Sequence, residues 1–361
     1  MLRIFFGSKK WFRYAYGYGA LLLLSLYLQV CVAVYLNGWY EKFYSLFQNP
    51  VPGAIHRFWE LLGMFFLVVL PLVGFLHTAT SYLARRYVFW WRWAMTENYI
   101  LRWRNTTQEI EGASQRIQED TGSFANILES LGMDFIRSIM TLIAFLPILW
   151  GLSKNIRFDL VGLDFLNKQE GALVYIALVT SVFGLVISCI VGRKLVGLEY
   201  GNQRVEARLR KELVYGEDDR VNFAHPRKLA EMFTGIRTNH YRLYLHYGYF
   251  DMWASLYEQV IVLLPLLIVA PNCFLATGAL AFGGVMQINN AFGQVYSSLS
   301  IFNKNFKRIT ELRSIWKRLH EFEKILPPLD PQKTTEGFNV GSEAEFRSDR
   351  KKVKAMLQKI E

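Results

Sequence analysis

Apolar runs close to twenty residues long recur along this chain, and they constrain its fold more than any other feature. A helix rising 1.5 Å per residue needs about 20 such residues to cross the hydrocarbon core of a bilayer. Six candidates stand at 16–36, 61–83, 135–152, 172–192, 250–271 and 277–300. The first, second and fourth are continuous. The third, "FIRSIMTLIAFLPILWGL", is short and is extended by the helix that precedes it. The sixth, "GALAFGGVMQINNAFGQVYSSLSIF", is rich in Gly and polar residues. It suits only a helix packed against protein or lining a water-filled path. Five crossings without it would put the termini on opposite sides. The N-terminal stretch has basic residues before its apolar run and no small-residue cleavage site soon after, which predicts a retained signal anchor.

Composition agrees with a polytopic membrane protein: 52% of residues are hydrophobic and 16% aromatic, beyond the range of an ordinary soluble enzyme. The formal charge of +11 invites a nucleic-acid reading. Its placement argues against one. Lys9, Lys10 and Arg13 precede the first run, and Arg85, Arg86, Arg92, Arg102, Arg104 and Arg116 join the second to the third. The connection from the fourth to the fifth carries Arg193, Lys194, Arg204, Arg208, Arg210 and Lys211, with more beyond. The alternate connections hold only Lys42 and Arg57, then Lys154, Arg157 and Lys168, then no charge. Positive residues gather on the cytoplasmic side, so both termini are predicted there, with 37–58 and 153–171 outside. Cys31, Cys189 and Cys273 share no CxxC or Cys/His spacing, and the six histidines show no metal spacing, so no metal or other cofactor is expected.

The inner connections, 84–134 and 193–249, are long and read as helical. They predict an all-α fold of six transmembrane helices with long cytoplasmic extensions. The whole reads as one transmembrane domain over 1–326 and a charged tail over 327–361, the Pro327–Pro328 pair stopping the last helix. Carboxylates stand out on these helices. Helical spacing alone picks out Glu111 on the first inner connection and Glu199 on the second, where "GNQRVEARLRKELVYGEDD" continues a polar stripe through Glu206 and Glu217. The plain account of such a stripe is a solvated face with pairs such as Glu206–Arg210. Glu258 stands inside the fifth run, where a charge is costly. Glu60, at the outer end of the second, is a candidate gate or an ordinary interfacial residue. Gln287, Asn289 and Asn290 on the sixth segment are candidate cavity-lining groups, or helix-to-helix hydrogen bonds. "YVFWWRW" reads as an interfacial aromatic belt.

Short outer and long inner connections together resemble the transmembrane domain of ABC exporters, the type IV arrangement. Eight motifs carry a narrower resemblance: "NGWYEKFYSLFQ" (37–48), "YVFWWRWAMTENYI" (87–100), "EGASQRIQEDTGSFANILESLG" (111–132), "MTLIAFLPIL" (140–149), "LEYGNQRVEARLRKELVYGEDD" (198–219), "NHYRLYLHYGYF" (239–250), "QINNAFGQV" (287–295) and "SIWKRLHEFE" (314–323). In this order and spacing they resemble the SbmA/BacA family of bacterial inner-membrane peptide transporters. That resemblance implies a homodimer importing peptides and peptide-like antibiotics at the expense of the proton gradient. It puts the family's proton-coupling glutamates at Glu119, Glu129, Glu206 and Glu217. The chain departs from the pattern in its fifth helix, with Glu258 acidic and Ile261 apolar where the family has the reverse.

No GxxxxGK[ST] phosphate loop occurs in these residues. Two readings of the energy source are open. The first is the proton-driven importer. The second is the transmembrane subunit of an ABC transporter that works with a separate ATPase on lipid or acyl substrates. A third, a non-transporting partner in envelope assembly, has no motif of its own. No Ser/His/Asp or Cys/His arrangement suggests an enzyme. The expected surroundings are a phospholipid bilayer, a second copy of the chain, peptides and protons, with no nucleic acid.

Overall fold

The computed structural model describes residues 1–48, 52–106, 110, 112–154, 156, 169–223, 225–269, 272 and 280–328. Among these residues the fold is helical throughout: α1 (Leu2–Phe6), α2 (Arg13–Gln48), α3 (Ala54–Arg104), α4 (Ala113–Ser153), α5 (Ala172–Asp218), α6 (Pro226–Val269), α7 (Phe282–Leu299) and α8 (Ile301–Ile325). Short π-helical stretches occur at Arg13–Tyr18, Phe65–Val69 and Arg116–Asp120. Helices α2 to α6 are long and apolar enough to cross a membrane. The chain is therefore an all-α polytopic protein with five such helices, and the expected sixth apolar span is corrected. The polar residues Gln287, Asn289 and Asn290 keep α7 from being apolar enough for lipid. It buries Val285, Ile288, Ala291, Phe292 and Val295 against protein instead.

Helices α5 and α6 far exceed the length of a membrane crossing. They have 47 and 44 residues, and at 1.5 Å per residue α5 runs about 70 Å. The hydrocarbon core takes up only about 30 Å of that. Prolines 147 and 265 lie inside α4 and α6; in lipid, neighbouring groups re-satisfy the backbone that a proline frees.

The chain divides into two compact units. The first comprises Met1–Ser25, His77–Gly132 and Lys307–Glu361, of which 329–361 lie outside the described residues. Its core is aromatic: Phe5 stacks on Trp91 at 5.4 Å, and Tyr99 meets the Phe322 ring edge-on at 5.5 Å. Met95, Phe124 and Leu319 are buried with them. The second comprises Leu26–Leu76 and Met133–Phe306. Its core gathers Phe145 and Leu149 of α4, Leu173 and Ala177 of α5, Ile261 and Ile268 of α6, and the buried face of α7. Gly171 sets the entry to α5. Its φ of +76° is a conformation that L side chains rarely adopt, and a Cβ there would run into the Trp150 ring.

Candidate functional site

Helices α5 and α6 pair antiparallel, and polar side chains join them at intervals along the hairpin. Trp253 Nε1 donates to Ser188 Oγ at 3.3 Å, and Tyr247 donates to Glu199 Oε2 at 3.3 Å. Asn239 Nδ2 reaches the Leu198 carbonyl at 3.4 Å. Further along, His240 Nε2 donates to Glu206 Oε1 at 3.1 Å, and Asn202 Nδ2 donates to the same oxygen at 3.3 Å. Lys228 Nζ lies 2.7 Å from Glu212 Oε1. The hairpin ends at Asp219, whose Oδ1 accepts the backbone N–H groups of Val221 and Asn222, both at 3.1 Å. Asn222 Nδ2 donates to its Oδ2 at 2.7 Å. These donors, the Asn222 side chain first, hold the Asp219 carboxyl below its ordinary pKa of 3.8.

In the first unit two carboxylates lie at inter-helix contacts. Asp120 is buried and accepts from Arg318 Nε at 2.9 Å and Nη2 at 2.7 Å, a bidentate pair. Hydrogen bonding to Asp120 raises the pKa of Arg318. Glu323 accepts from Tyr99 at 2.9 Å and from the Met1 amine. Arg102 donates to three carbonyls where α8 ends: Pro327 at 2.7 Å, Leu326 at 2.9 Å and Glu323 at 3.0 Å. It satisfies acceptors that the helix leaves open.

Most of the carboxylates expected from the sequence occupy other surroundings. Glu119 is exposed and takes a hydrogen bond from Gln115 at 3.2 Å. Glu129 is half-buried. Glu199 is half-buried against Tyr247, and Glu206 is exposed between His240 and Asn202. The pair actually made is Glu206–His240, where the spacing suggested Glu206–Arg210. Glu217 is exposed, with no hydrogen bond or ion pair among the described residues. Glu111 lies outside the described residues. Glu258 is exposed on its helix face, and Glu60 is exposed and lies 3.1 Å from His56. Of the α7 polar groups, Asn290 Nδ2 donates to Asn37 Oδ1 at 2.8 Å; Gln287 and Asn289 are half-buried. Sequence reasoning missed Asp120, Glu97 and Glu323, whose partners Arg318, Lys10 and Tyr99 come from distant sequence, and the buried Glu212. No group of three or more His, Cys, Asp or Glu side chains suited to a metal occurs among the described residues.

Five helices long and apolar enough to cross a membrane, joined by polar contacts along their extensions, define a polytopic membrane protein. The SbmA/BacA-like family profile matches residues 8–327, and the chain belongs to that family. It is similar to the inner membrane ABC transporter ATP-binding protein YddA of Escherichia coli K12, 25% identical over 84% of this chain and 56% of that protein. It is also similar to an uncharacterized ABC transporter ATP-binding protein of Synechocystis, 27% identical over 74% of this chain and 40% of the relative. The ABC transporter D family member 2, chloroplastic, of Arabidopsis thaliana is 24% identical over 72% of this chain and 36% of that protein. The chain thus spans about half the length, or less, of the curated relatives it matches.

These relatives correct the first functional expectation. Proteins named as ABC transporters share most of this chain, and that overturns the proton-driven importer of peptides in favour of the ATP-linked alternative. In the single chain Glu119, Glu206 and Glu217 lie exposed on helix surfaces, and Glu129 and Glu199 are half-buried.

Proposed function

We propose that this chain is the transmembrane part of an ATP-driven transporter, two copies enclosing a path for lipid or acyl cargo and a separate ATP-binding subunit supplying the energy. The observation that carries this reading is similarity across 72 to 84% of the chain to proteins named as ABC transporters. Residues 1–326 act as one domain in the bacterial inner membrane. Both termini are cytoplasmic, in keeping with the Lys and Arg asymmetry of the connections. Termini on one side need an even number of crossings, so α7 is read as a further crossing that is packed against protein and not an apolar span; its Asn290 bonds Asn37 of α2.

The hairpin tip between α5 and α6 is the docking point for the ATP-binding subunit. It ends helices far longer than a crossing needs, and it holds Val221 80% exposed above the Asp219 turn. Glu199, Glu206 and Glu212 of α5 serve the hairpin as stiffening contacts. The test is the hydrolysis rate of an ATP-binding subunit from the same genome, with and without this chain in lipid nanodiscs. The chain is expected to stimulate vanadate-sensitive hydrolysis, and Val221→Asp to remove most of the stimulation. A rate unchanged by the chain would overturn the proposal.

A further inference from the structure

The segment ahead of the first membrane crossing borders an open, surface-facing cavity of about 650 Å³ lined by Ser8, Lys9, Lys10, Phe12, Arg13 and Tyr14, with Phe6 and Gly7. Its charge is one-sided. Lys10 is held by Glu97 at 2.6 and 2.8 Å. Lys9 and Arg13 are exposed, with no ion pair among the described residues. Two of its lining rings are held by aromatic neighbours: Phe12 lies 4.7 Å from the Tyr16 ring and Tyr14 4.3 Å from the Trp90 ring.

Position along the helix says what such a cavity meets. The uninterrupted apolar run of α2 begins at Ala20, seven residues after Arg13. Seven residues rise about 10 Å, which places Arg13 and Lys9 at headgroup depth when the run enters the hydrocarbon. Leu2, Phe12 and Tyr16 are exposed on the same segment and offer apolar surface to acyl chains. Amphipathic rings beside unpaired cations at that depth recognise a phosphate tied to an acyl chain, since a free anion gains nothing from the apolar surface.

We propose that this cavity binds the phosphate of an anionic phospholipid through Lys9 and Arg13, with the acyl chains lying over Phe12 and Tyr16. The site involves no bond-making step and stands apart from the energy source proposed above.

The test uses the full chain in mild detergent. Thermal stabilisation and adduct retention in native mass spectrometry are measured against added phosphatidylglycerol, phosphatidylcholine and inorganic phosphate. Phosphatidylglycerol is expected to bind and stabilise; phosphatidylcholine and inorganic phosphate at equal concentration are not. Lys9→Gln and Arg13→Gln are each expected to weaken retention on the order of five-fold, and the pair about thirty-fold. Arg237→Gln, an exposed cation on α6, is expected to behave as wild type. Wild-type affinity in both single variants, an equal loss in Arg237→Gln, or equal stabilisation by inorganic phosphate would overturn the proposal.

Discussion

Arg318 grips the buried carboxylate of Asp120 through two nitrogens, at 2.9 and 2.7 Å, across 198 residues of sequence. The Asp120 side chain is only 3% exposed, whereas that of Arg318 is 44% exposed. Removing the arginine leaves a buried charge unpaired, which costs about 3–5 kcal/mol at a fully buried pair and less here, where solvent screens one side. Arg318→Leu is expected to destabilise the first unit by about 2 kcal/mol. Asp120→Asn/Arg318→Leu together should cost less than the sum of the single changes. Thermal unfolding in detergent reads both.

The contact between α2 and α7 leaves no room for a side chain at Gly283, where a Cβ would collide with the Glu41 carbonyl and Ser45 Oγ. Gly283→Ala is expected to cost about 1–3 kcal/mol by forcing the helices apart. Asn290→Ala removes the partner of Asn37, which is 1% exposed, and is expected to cost about 1 kcal/mol. If α7 does not pack here, both variants will unfold with the wild type.

Two glutamates on α5 should behave differently. Glu212 is buried and paired with Lys228; Glu206 is exposed. Glu212→Ala is expected to destabilise by about 1–2 kcal/mol. Glu206→Gln keeps an acceptor for His240 and should stay within about 0.5 kcal/mol of wild type. Chemical denaturation of the purified variants ranks them.

The turn at the hairpin tip should depend on pH in one direction. The Asp219 pKa is depressed in the folded chain, so its contribution is present above the ordinary carboxylate pKa of 3.8 and is lost as pH falls through the lower folded value. Amide protection at Val221 and Asn222 is expected to disappear in acid, and in Asp219→Ala at every pH. Hydrogen exchange at the tip measures it. Protection that persists in Asp219→Ala would contradict the assignment.

The long helices were legible because apolar runs of about twenty residues admit few alternatives. The sixth segment reads rightly as too polar for lipid, but its count as a sixth apolar span fails: Gln287, Asn289 and Asn290 interrupt the pattern, and its buried side, Val285, Ile288, Ala291, Phe292 and Val295, meets protein. The site was less legible. Asp120 sits beside the family-matched Glu119, and only the latter stands out by motif. Yet Ile117, Thr121 and Phe124 are buried at helical spacing around Asp120, so periodicity already put an acid on the core side. Glu212 shares a buried face with Gly216, whereas Glu217 faces outward and Glu206 is exposed although it reaches His240 of α6. Partners such as Arg318 and Tyr99 come from distant sequence, which no local spacing reveals.

The energy source is tested most directly by cargo movement in proteoliposomes holding the chain and an ATP-binding subunit, with a fluorescent acyl lipid as cargo. Movement is expected to require ATP hydrolysis, to stop with vanadate, and to continue when a protonophore removes the pH gradient. Movement driven by an imposed pH gradient without ATP, and abolished by the protonophore, would contradict the account.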